Sequence, residues 1–99
     1  MSDRDRIEID FAKACEQAEY LESMAGVLSS IAKDSLLEAI SIVDAIWKGD
    51  NAEKYVKKGK NYIPDILNTA DELMKMAGNV RYTAEKIYEA EKKALGMIF

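Results

Sequence analysis

An all-α fold, two long helices folded back on one another as an antiparallel hairpin, is the architecture this sequence predicts. Three observations carry it. Apolar residues recur at spacings of three and four along most of the 99 residues, the signature of one helical face. The pattern is interrupted once, near the centre, by Trp47-Lys48-Gly49-Asp50. Punctuation is otherwise scarce, with one proline and five glycines. A chain of this length is a single domain, 1–99, and its 48% hydrophobic and 32% charged residues suit neither a disordered chain nor a membrane protein.

Taken in order, Ile7-Glu8-Ile9 alternates and predicts a short extended lead-in, after which Asp10 can cap a helix over about residues 11–48. Its seam runs Phe11, Ala14, Ala18, Leu21, Ala25, Leu28, Ala32, Ser35, Ala39, Ile42 and Ile46, with Ser35 the one polar member. Met24, Val27 and Ile31 flank the seam on one side, and Leu36, Ile40, Val43 and Trp47 on the other. The alanines permit close approach of a neighbouring helix. The bulky flanks make the stripe wider than one partner covers, so Met24, Val27 and Ile31 are expected in a dimer interface.

Gly49 suits the left-handed position just after a helix. Asp50 and Glu53 then have the spacing of a capping box. With the turn at 49–50, a second helix is expected over about 51–95, antiparallel to the first. Its seam reads Tyr55, Tyr62, Ile66, Thr69, Leu73, Met76, Val80, Thr83, Ile87, Ala90 and Ala94, widened by Val56, Ile63, Ala70, Ala77 and Ala84. Pro64 lies inside it and, with Gly59 close by, predicts a kink. At the rise of an α-helix the two would be about 55 Å and 65 Å long.

Composition excludes several functions. There is no histidine, which removes Ser-His and Cys-His nucleophile pairs and histidine metal sites together. The carboxylates are scattered over polar helix faces, so no enzyme and no cofactor are expected. Cys15 is the only cysteine and cannot form an intrachain disulfide. The net charge of −4 argues against nucleic acid as the main partner, and Lys54, Lys57, Lys58 and Lys60 read as a solvated helix face. Neither a signal peptide nor a membrane span is expected: residues 1–10 are charged throughout, and the uncharged run from Ser23 to Ala32 falls short of the ~20 residues a span needs.

Trp47-Lys48-Gly49, followed by Ala52 and Tyr55, resembles the central motif of the WXG family of about one hundred residues, the early-secreted-antigen-like substrates of type VII secretion. The resemblance covers the whole chain: its length, the central motif, one helix on each side, the Ile-x-Ile-Asp lead-in and the lack of a leader. It implies a hairpin that dimerises into a four-helix bundle, is recognised by a membrane-bound FtsK/SpoIIIE-type ATPase and is exported folded. It further implies that Trp47 and Gly49 supply half of a two-part export signal. The other half, in actinobacterial members, is Tyr-x-x-x-Asp/Glu. Here Tyr82 is followed at that spacing by Lys86, and Tyr88 by Lys92. The looser pattern of Firmicutes members is matched by Ile87, Glu91, Ala94 and Ile98, with Tyr88 as a neighbour in the same surface. The expected protein is thus a homodimeric, non-enzymatic export substrate, cytoplasmic before secretion. A targeting partner that pairs with a larger toxin, or a cytosolic helical scaffold, are the competing readings.

Overall fold

The computed structural model describes residues 2–96, which are helical almost throughout and contain no strand. Helix α1 spans Asp3–Ser30, a π-helical turn follows over Ile31–Leu36, α2 spans Leu37–Ile46, and α3 spans Asp50–Ala94. The first three form one uninterrupted arm, joined to α3 by Trp47, Lys48 and Gly49, so the chain is a helical hairpin. It divides into two compact units, one of Met1–Ser23 with Met74–Phe99 and the other of Met24–Leu73.

The first helix starts at Asp3 rather than after an extended lead-in capped by Asp10. Ser2 is the cap: its hydroxyl oxygen accepts from the Asp5 amide at 3.1 Å, and its carbonyl accepts from the Arg6 amide at 3.0 Å. That satisfies two of the free amides at the helix start. Asp10 instead pairs with Arg6 one turn back, at 3.3 Å. Ile7 is only 2% exposed and extends the three-and-four spacing of Phe11, Ala14 and Ala18 towards the N-terminus. A helical period, not a strand period, governs this segment.

Among the described residues, seven of the ten buried apolar ones are alanines. In the unit formed by the two ends of the chain, Ile7 and Ala18 from α1 are buried, as are Ala77 and Ala84 from α3. In the other unit the buried residues are Ala25, Ala32 and Ile40 from the first arm, with Ala52, Val56 and Ala70 from α3. The buried line of each helix is therefore built mostly of alanine, and large side chains lie on its exposed flanks.

The π turn changes which face of the first arm is buried. Ala18, Ala25 and Ala32 repeat every seven residues, and continuation of that repeat falls on Ala39. The residue that is buried is Ile40. A π turn accommodates one extra residue without breaking the helix, so beyond Ala32 the buried line slips by one position. Leu36, Ile40 and Val43, expected on the flank, become the line, whereas Ser35, Ala39, Ile42 and Ile46, expected on the seam, are exposed. The slip removes the one polar residue from the interface and replaces it with leucine.

A related correction applies to α3. Its buried line is Val56, Ala70, Ala77 and Ala84, with Ile63 half-buried between them. Tyr55, Tyr62, Met76 and Ile87, expected at the centre, are exposed. The smaller residues take the line of closest approach because only they allow it. The helix passes Pro64 without a break. Proline leaves the Lys60 carbonyl without its intrahelical donor, but both residues are exposed, so water can replace it.

At the turn, α2 ends at Ile46 and Trp47 is its C-cap, with an extended backbone at φ −98 and ψ 134. Gly49 has φ 108, and its carbonyl accepts from the Glu53 amide at 3.1 Å. Gly49 therefore opens α3 as its N-cap and is not, as expected, the first residue past the end of the preceding helix: Trp47 is that helix's cap and Lys48 follows it. Asp50 occupies the first helical position, not the cap, where its charge and that of Glu53 face the positive end of the helix dipole. Gly49→Val should cost on the order of 1–2 kcal/mol, because a β-branched side chain is strained at positive φ. An unchanged urea midpoint would contradict the conformation seen at Gly49.

Candidate functional site

The described residues expected to form the two-part export signal fall on two surfaces, one in each unit. The first is the turn. Trp47 is held by its backbone, whose amide donates to the Val43 carbonyl at 2.9 Å, while its residue as a whole stays 66% exposed. Lys48 folds back so that its ammonium donates to the Asp44 carbonyl at 3.3 Å, satisfying one acceptor at the end of α2. Ile46, which precedes Trp47, and Tyr55, in the second turn of α3, are also exposed. The backbone at Trp47 is thus fixed, and an indole ring, which combines a large apolar area with one N–H donor, is open to a partner.

The second surface lies where the start of α1 meets the end of α3. Ile87, Tyr88 and Glu91 line a cleft of about 250 Å³ together with Ile7, Phe11 and Ala14 of α1. The Tyr88 ring stacks on Phe11 with centroids 4.4 Å apart and a 33° tilt. Its hydroxyl donates to the Glu8 carboxylate at 2.7 Å. The Lys92 ammonium lies 4.4 Å from the centre of the Tyr88 ring and 3.5 Å from Glu8, and Arg6 reaches Glu91 at 3.7 Å. Tyr88 and Glu91 are therefore engaged with α1 in the same chain. Ile87 and Ala94 are exposed, and Ile98 lies outside the described residues. Further along the same unit, Arg81 donates through Nε to Glu22 at 3.1 Å and its second nitrogen also pairs with that carboxylate. The guanidinium is held above its ordinary range by this hydrogen bond. No signal in the sequence marked Glu8 or Arg6 as partners of α3, since the pairing joins the two ends of the chain.

The hydrogen bond from the Tyr88 hydroxyl holds the Glu8 carboxyl below its ordinary value of 4.5; burial opposes it, and the Lys92 charge adds to it. A carboxyl depressed in the folded state stabilises it above the unfolded value, and that stabilisation is lost as pH falls through the folded one. The Tyr88 ring signals, followed by proton NMR, should therefore titrate below pH 4.5 in the native chain and not in Glu8→Gln. A midpoint above the ordinary carboxyl value would contradict this pairing.

Met24, Val27 and Ile31 are all exposed, as a face free to meet another molecule must be. Among the described residues no group of three or more histidine, cysteine or carboxylate side chains could hold a metal ion, and no helix is long and apolar enough to cross a membrane. Cys15 is half-buried and free. No family model, no curated protein and no solved structure matches this chain.

Proposed function

We propose that this protein is a substrate of a type VII secretion system that acts, as a dimer and without catalysis, by binding other proteins. The observation that carries the reading is the Trp47-Lys48-Gly49 turn. It sits between two helices, its glycine has a positive φ, and its tryptophan is presented rather than packed. A tryptophan serving only as core would be covered. Export would be driven by an FtsK/SpoIIIE-type ATPase reading Trp47 and Gly49 together with Ile87, Tyr88, Glu91, Ala94 and Ile98. Dimerisation through Met24, Val27 and Ile31 into a four-helix bundle would cover apolar area that a lone hairpin leaves in water, and should bury well over about 1,000 Å².

The test is the amount of this protein in culture supernatant with and without the ATPase of the system. Export should depend on the ATPase, and equal amounts in both strains would overturn the reading. Light scattering at micromolar concentration should give twice the chain mass. A persistent monomer would replace the homodimer with a larger secreted partner that this chain escorts.

A further inference from the structure

The two surfaces that carry the proposed export signal differ in availability. Trp47 is open at the turn, whereas Tyr88 and Glu91 are half-buried. Tyr88 is held at three points. Its ring lies on Phe11, with centroids 4.4 Å apart. Its hydroxyl donates to Glu8 at 2.7 Å. The Lys92 ammonium sits 4.4 Å from its ring centre and reaches Glu8 at 3.5 Å. A hydrogen bond to an ionised acceptor is about twice as strong as a neutral one. A phenol has one proton to donate, so it cannot serve Glu8 and another molecule at once. The Arg6–Glu91 pair, at 3.7 Å between partly exposed groups, adds little.

Glu8 and Phe11 lie in the first three turns of α1, and the start of that helix depends on Ser2. The Ser2 hydroxyl and carbonyl oxygens accept from the Asp5 and Arg6 amides. Helix ends open at lower cost than the packed middle of a fold. From Asp3 to Phe11 the one fully buried residue is Ile7. These turns can therefore lift while Ala18 and Ala77 stay buried, and lifting frees the Tyr88 hydroxyl.

We infer that the start of α1 is a latch on the export signal: Glu8 and Phe11 hold Tyr88 closed in the free chain, and the ATPase engages the whole signal only once these turns lift. The inference rests on the export reading above and adds regulation to it. A partner that needs the open form binds with its intrinsic affinity reduced by the fraction open. Loosening the latch therefore tightens binding. A contact that merely shapes the surface has the opposite consequence, because disordering one side of a binding surface weakens what binds there.

The test measures binding of the full chain to the purified cytosolic domains of the secretion ATPase, by fluorescence anisotropy. Glu8→Ala should tighten binding by about tenfold. Ser2→Ala removes the cap without touching Tyr88 or changing the charge, and should tighten it by about threefold. Amide hydrogen exchange from Ile7 to Phe11 should accelerate by similar factors in each variant. Circular dichroism should show both variants folded, since positions 2 and 8 are exposed. Trp47→Ala should weaken binding of the native chain. If it does, and either latch variant binds no more tightly than the native chain, the latch is overturned and the export reading stands; tightening in Glu8→Ala alone is then an effect of charge. Exchange that neither variant accelerates would also overturn the latch. Failure of the native chain and both variants to bind would overturn the export reading and the latch with it.

Discussion

Trp47→Ala should lower secretion by more than about tenfold, the loss expected when an aromatic anchor worth about 2 kcal/mol is truncated. The hairpin itself should survive. Trp47 is 66% exposed, so removal of its ring leaves no large cavity, and the amide of residue 47 that closes α2 is retained in alanine. Circular dichroism and light scattering should therefore match the native protein while the supernatant loses it. On the proposed two-part signal, Glu91→Ala should behave similarly. Its carboxylate also pairs with Arg6, so the comparison needs Arg6→Ala, which breaks the same pair and should leave export intact if Glu91 acts through the ATPase. Native secretion of both Trp47→Ala and Glu91→Ala would show that neither position is read.

The largest effect on stability should come from the alanine line. Ala77→Leu should destabilise the fold by about 1–3 kcal/mol, the usual consequence of forcing extra methylenes into a packed interface. Ala77 is 1% exposed, and its neighbour Met76 is 51% exposed. Alanine and leucine differ little in helix propensity, so the loss reports packing. Met76→Leu adds no comparable burial and should stay within about 0.5 kcal/mol. Urea midpoints of the two variants check both statements. Equal midpoints would mean that the two helices do not meet at residue 77.

The hairpin, the single central turn and the need for glycine at position 49 were legible in the sequence, because each follows from local spacing and backbone sterics. The helical state of Ile7-Glu8-Ile9 was not legible, for a physical reason. The segment fits a strand period over three residues and, from Ile7 to Ala18, a helix period over twelve, and the longer period prevails once Ser2 caps the start. The exposed state of Trp47 could not be read, since a terminal tryptophan can pack or project with the same neighbours in sequence. The clustering of Arg6 and Glu8 with Tyr88, Glu91 and Lys92 was equally hidden, because it depends on how α1 and α3 are aligned.

What the sequence by itself determined is the set of residues able to face inward: the apolar stripe of each arm, broad enough to include both Ala39 and Ile40, both Met76 and Ala77. Which members of that stripe are buried was decided only in the tertiary structure. A stripe wider than one helix covers can be rotated against its partner at little cost to the helix itself. The choice falls to the rotation that buries the alanines and leaves Ser35 exposed, and a π turn at Ile31–Leu36 absorbs the one-residue slip that this choice requires.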